Sequence, residues 1–156
     1  MKFLYFILAF FLMSCSIDDK SKYLNKHHDG NIEVNELFSK FPVFKTGYDD
    51  YVPYAVKELK DDHIKVVIFF GTWCHDSKRE LPKVLKIFNK MGIDDKNIEL
   101  IAVGPDKKES QGRAKRLNLV FTPTFIFFKQ SKEIGRIVEK PIISLERDIE
   151  LITSTI

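Results

Sequence analysis

Ile64-Lys65-Val66-Val67-Ile68-Phe69-Phe70-Gly71-Thr72-Trp73-Cys74-His75-Asp76-Ser77 is the stretch that decides the fold. Val66 to Phe70 is a continuous β-branched and aromatic run, the pattern of a strand buried on both faces. Gly71-Thr72-Trp73-Cys74 turns the chain, and from Ser77 to about Met91 the apolar residues Leu81, Val84, Leu85 and Phe88 recur at helical spacing. Gly92 stands where a helix C-cap glycine belongs. The spacing therefore predicts a cysteine at the N-terminus of a helix, just beyond a central strand. Free backbone N–H groups and the positive end of the helix dipole lower a thiol pKa there, and the thiolate is the nucleophile.

Working outward, Ile98–Val103 predicts a second buried strand, which Gly104-Pro105-Asp106 ends, and Glu109–Leu117 a short helix. Thr124–Phe128 and Glu133–Val138 flank Gln130-Ser131-Lys132 and predict an antiparallel hairpin. Ser144 is placed to cap a last helix to about Ile152, with Glu146 in its first turn. On the N-terminal side, Ile32 to Phe41 has helical spacing up to Pro42, and Tyr48 to Leu59 predicts another helix before the break at Asp61-Asp62. The expected architecture is α/β, a central mixed sheet flanked by helices, with an N-terminal helical extension.

The chain has 156 residues, 44% of them apolar, and a formal net charge of +3. That suits one domain with a real core and gives no basic footprint for nucleic acid. Lys2 precedes Phe3–Met13, eleven apolar residues. A spanning helix needs about 20, so this reads as a signal-peptide core. Leu12-Met13-Ser14-Cys15 then resembles the lipobox of bacterial lipoproteins, in which the cysteine is diacylated and becomes the acylated N-terminus. The expected organisation is residues 1–14 as lipoprotein signal peptide, 15–30 as a polar tether and 31–156 as the folded domain. Localisation follows as the cell envelope, lipid-anchored on the periplasmic or outer-membrane side. His27-His28 lacks a nearby third ligand and reads as solvated tether rather than a metal site. With Cys15 lipidated, Cys74 is the one remaining thiol of the mature chain.

The buried strand ending in Trp73-Cys74-His75-Asp76-Ser77, Pro82 eight residues after Cys74, and Phe121-Thr122-Pro123-Thr124 before the hairpin together resemble the thioredoxin-like superfamily, over about residues 60–153. The resemblance implies that fold, a cis-proline at Pro123 facing the Cys74 thiol, and an extended substrate chain lying beside Thr122. It implies Cys74 as the catalytic residue with Ser77 assisting, Trp73, His75, Asp76, Thr122 and Pro123 as substrate-binding residues, and neither cofactor nor metal. Two departures bear on mechanism. Ser77 replaces the resolving cysteine, and Ile68 stands where the family usually carries a buried acid, six residues before the nucleophile. A self-contained dithiol cycle is thereby ruled out. The peroxidase branch matches poorly, because Gly71 occupies the position of its threonine. The expected function is a monothiol oxidoreductase of the envelope. Its partners are proteins bearing thiols or disulfides, an external thiol reductant, and the membrane through the lipid. The alternative is a non-catalytic thioredoxin-like binding module. Metal delivery is disfavoured by the lack of a second thiol in the domain.

Overall fold

The computed structural model describes residues 27–59 and 63–154. β2 (Ile64–Phe70) is the central strand the sequence predicts, with every residue after Lys65 buried. It pairs in parallel with β3 (Ile98–Ala102) and antiparallel with β4 (Thr124–Lys129), which pairs antiparallel with β5 (Lys132–Val138). A short β1 (Gly30–Ile32) adds antiparallel to β3, so the sheet order is β1-β3-β2-β4-β5.

The two faces of the sheet are covered unequally. Val66, Ile68 and Phe70 pack with Leu37 of α1 (Val34–Lys40), Phe44 of α2 (Pro42–Asp50), Leu81 and Phe88 of α3 (His75–Met91), and Ile149 of α5 (Leu145–Ser154). Phe44 meets Phe70 edge-on with centroids 5.8 Å apart. On the other face Val67, Phe69, Ile101 and Ile126 are covered by Ala114 of α4 (Arg113–Arg116) together with Leu117 and Leu119. Burial of β2 on both faces is what its unalternating sequence encodes. α3 ends as expected: Gly92 takes φ 76°, the left-handed C-cap region where a Cβ would be strained.

Four expectations are corrected. The helix expected over Tyr48–Leu59 is not there: α2 begins earlier, at Pro42, ends at Asp50, and residues 51–59 are irregular. Pro42 interrupts the first run but opens the next helix at its first position, where a missing N–H costs nothing. Pro53, by contrast, has no N–H to continue the ladder, and Ala55 takes φ 50°. The Tyr51 hydroxyl donates to Glu146 Oε1 and Leu59 N–H donates to the Met91 carbonyl, so tertiary partners hold this segment instead. Second, the helix expected over Glu109–Leu117 is the single turn of α4. Gly112 at its N-cap is left-handed, and the Glu109 carboxylate accepts from the N–H groups of Gln111 and Ala114, fixing a loop before it. Third, the helical run expected from Ile32 is preceded by β1. Ile32 is its last residue, 5% exposed in the main core. Fourth, the hairpin turn is two residues: Gln130 and Ser131 both have positive φ, and Lys132 already belongs to β5.

Of residues 15–30, expected as a tether, only 27–30 fall within the described residues, and they lie against the domain: His28 N–H donates to Thr72 Oγ1 at 3.2 Å. Cys15 and the signal-peptide core lie outside the described residues. Among the described residues no helix is long and apolar enough to cross a membrane.

Candidate active site

The parallel β2–β3 pair delivers the site. β2 ends at Phe70, beside Ala102, and the next four residues must turn the chain into α3. The turn needs glycine at its start, because a Cβ on Gly71 would sit 2.6 Å from the Trp73 ring. Trp73 Nε1–H donates to the Val103 carbonyl at 2.9 Å, and Lys107 Nζ stands 4.4 Å above the indole, a cation–π contact. Half-buried Trp73 is thus fixed as a rim beside the cysteine.

Cys74 is the N-cap of α3, with extended backbone (φ −80°, ψ 127°), and is 8% exposed. Its N–H closes the turn on the Gly71 carbonyl at 3.0 Å, and its own carbonyl accepts from Lys78 N–H at 3.1 Å. Cys74 Sγ lies 3.2 Å from the Thr122 carbonyl oxygen. Burial pushes the thiol pKa up, but the side chains of Ser77 and Thr122 and the N–H groups of Ser77 and Asp76 outweigh it, and the net shift is below the ordinary thiol value of 9.0. The carbonyl of Thr122 accepts the thiol proton and favours the neutral form; donors converging on the sulfur favour the thiolate, and the donors win.

Ser77 is fully buried in the first turn of α3. Its Oγ accepts from Gly71 N–H at 3.1 Å, leaving the hydroxyl proton for the sulfur. Asp76 contributes its backbone N–H to Cys74, while its carboxylate is answered by Arg79 at 2.7 Å. The charge that opposes a thiolate is therefore balanced on the helix surface. The His75 ring points to solvent, 86% exposed, 3.8 Å from Asp76 Oδ1. Ile68 is fully buried between Leu100 and Phe125, so the position of the family's acid is apolar core here.

The Thr122–Pro123 peptide bond is cis, and both residues are buried. Pro123 is held from behind, its carbonyl accepting from Glu139 N–H at 2.7 Å. Val120 and Phe121, 62% and 49% exposed, form an apolar edge ahead of Thr122, and Ile142 and Ile143 stand exposed beyond Glu139. Cys74, Ser77, Trp73, Thr122 and Pro123 thus come together, Asp76 reaches the sulfur through its backbone, and the His75 ring stays outside. Sequence reasoning missed Thr72, whose hydroxyl takes the His28 N–H, and Lys107. The signal for Lys107 was present in Gly104-Pro105-Asp106, a turn close behind a buried strand. Among the described residues no group of three or more His, Cys, Asp or Glu side chains could hold a metal ion.

The chain is similar in sequence to known proteins. The thioredoxin family model matches residues 50–150. A thioredoxin of Aspergillus fumigatus is 31% identical over 103 residues, which is 65% of this chain and 90% of that protein. A thioredoxin-like protein of Acanthamoeba polyphaga mimivirus is 29% identical over 84 residues; the match covers 54% of this chain and 58% of that relative's length. The crystal structure of Fasciola hepatica thioredoxin aligns with 60% of this chain and 81% of that one, at 26% identity and a TM-score of 0.43. With the family model spanning the strand, the cysteine turn and the cis-proline loop together, the chain belongs to the thioredoxin family.

Proposed function

We infer that this protein is a lipid-anchored thiol–disulfide oxidoreductase of the bacterial cell envelope that works through one thiol, Cys74. The observation that carries the reading is the pairing of positions 74 and 77: a thiol with lowered pKa at the helix N-cap, and a buried hydroxyl where a resolving thiol would stand. The Cys74 thiolate attacks one sulfur of a substrate disulfide. That S–S bond breaks, the other substrate sulfur leaves as a thiolate, and a mixed disulfide forms. An external thiol then attacks the Cys74 sulfur and releases the substrate as a second thiol. Another external thiol restores Cys74 and carries the electron-pair loss away as its own disulfide. A second thiol on the same substrate can instead resolve the intermediate, which isomerises the substrate rather than reducing it. Ser77 cannot resolve it, because a hydroxyl of high pKa does not displace a thiolate.

Support for the anchor comes from the sequence: the eleven-residue apolar run ending in Leu12-Met13-Ser14-Cys15. Two measurements test the whole reading. Mass spectrometry of the envelope form is expected to find the mature chain beginning at acylated Cys15. Non-reducing gels of the full chain are expected to show adducts that vanish with reductant, are absent in Cys74→Ser, and are weakened in Ser77→Cys. Identical adducts from wild type and Cys74→Ser would leave the thiol idle and favour a binding module acting through the Trp73 and Thr122–Pro123 rim.

A further inference from the structure

We propose that the anchored protein holds its active-site end toward the bilayer, so that its substrates are disulfides or thiols carried at the membrane surface. The proposal rests on the anchor and thiol readings above and adds a direction to them. The direction comes from β1. Gly30 pairs with Ala102 and Ile32 with Leu100, so the chain enters the sheet at the C-terminal end of β3. Ala102 also pairs with Phe70, the residue from which β2 turns into Cys74. The chain therefore joins the fold at the end that bears the thiol.

His28 N–H donates to Thr72 Oγ1 at 3.2 Å, two residues from Cys74, and fastens the chain at this end. Further along β1, Asn31 Nδ2 donates to Glu99 Oε1 at 3.0 Å and Ile32 is buried in the main core, which holds the strand along β3. Behind this point only eleven residues, twelve Cα-to-Cα steps, separate His27 from Cys15. At full extension they reach at most about 43 Å. A domain of this size is about 36 Å across and so about 57 Å around half its girth, more than the chain can span to carry the anchor around to the other end. The far end is marked by the C-terminus of α5: Thr153 and Ser154 share a cleft with Met91, the last residue of the helix that Cys74 begins. An anchor on the N-terminal segment thus keeps Cys74 near the surface, whereas one after α5 would turn it away.

The test uses the full acylated protein on phosphatidylcholine vesicles containing phosphatidylethanolamine with a pyridyl disulfide on its headgroup. Cys74 thiolate attacks the lipid-borne sulfur, and pyridine-2-thiolate leaves as the mixed disulfide forms. The comparison protein has Cys15→Ala and a membrane-spanning helix appended after Ile156. A second variant keeps Cys15 and carries a forty-residue Gly/Ser insertion after Ser16. A soluble pyridyl disulfide serves as the control for folding and thiol reactivity. Wild type is expected to react with the lipid-borne disulfide at least tenfold faster than the C-terminally anchored form, with the insertion variant between them, while all three react equally with the soluble reagent. Equal lipid-borne rates in all three overturn the orientation alone. Wild type that fails to stay on the vesicles overturns the anchor, and the orientation with it. Lack of reaction with either disulfide overturns the thiol reading.

Discussion

The two ends of β2 share one strand and differ in what they offer a ligand. The N-terminal end opens on a cleft of about 1020 Å³, lined by Lys65, Val67, Asn97, Glu99, Arg113 and Phe128. In the cleft, charged groups are engaged with each other, as in the two-pronged Arg113–Glu99 pair. At the other end two hydroxyl side chains and two backbone N–H groups converge on one sulfur. Chemistry follows convergence rather than volume, because only donors aimed at a single atom change how it ionises.

The largest effect that could break this comparison is at Cys74 itself. Cys74→Ser is expected to abolish mixed-disulfide formation on non-reducing gels, and captured adducts that persist would move the chemistry elsewhere. Next is the packing that fixes the turn: Phe70→Ala, at a fully buried ring against Phe44, is expected to cost about 3–5 kcal/mol in denaturant unfolding. The pH dependence comes third. Because the folded thiol pKa lies below 9.0, alkylation of Cys74 is expected to reach half its maximum below that pH and to fall away in acid. The matching stabilisation is present in full above the unfolded thiol pKa and is lost as pH falls through the lower folded value. Ser77→Ala removes a donor to the thiolate, so the alkylation curve should move to higher pH, with the neutral-pH rate down roughly three- to tenfold. An unmoved curve would mean that the backbone N–H groups suffice. Smaller still is Lys107→Ala, expected to loosen the Trp73 rim by about 0.5–1 kcal/mol, read from Trp73 fluorescence quenching. Smallest is Lys65→Ala in the large cleft. Stability should change by no more than about 0.5 kcal/mol and Cys74 alkylation not at all; a changed alkylation rate would show that the two ends communicate.

Much of the reactive end was legible residue by residue. The Val66–Phe70 run encodes burial on both faces whatever packs there, because strand residues alternate sides and all five are apolar. Gly92 and Ser144 announced helix boundaries, because capping is settled within a few residues of chain; the Ser144 hydroxyl does accept from Arg147 N–H. The replacement of a resolving thiol by Ser77, and of the acid by Ile68, can be read without coordinates, since a side chain's chemistry is independent of the fold.

Other features existed only once distant segments met. Residues 51–59 have an apolar pattern fit for a helix, yet Pro53 and the bond from Tyr51 to Glu146, 95 positions away, decide otherwise. β1 is three residues long, too short to carry a period, and is a strand because Ala102 and Leu100 lie beside it. That Ser77 takes the Gly71 N–H and turns its proton to sulfur required the turn to close. The place where the chain enters the sheet, beside Thr72, is likewise a product of register. Sequence by itself determined which atoms could react and which local breaks the backbone must make, for these depend on covalent chemistry and neighbours in the chain. Tertiary structure alone decided which donors reach the sulfur and from which end the chain arrives, because both depend on contacts between residues far apart in sequence.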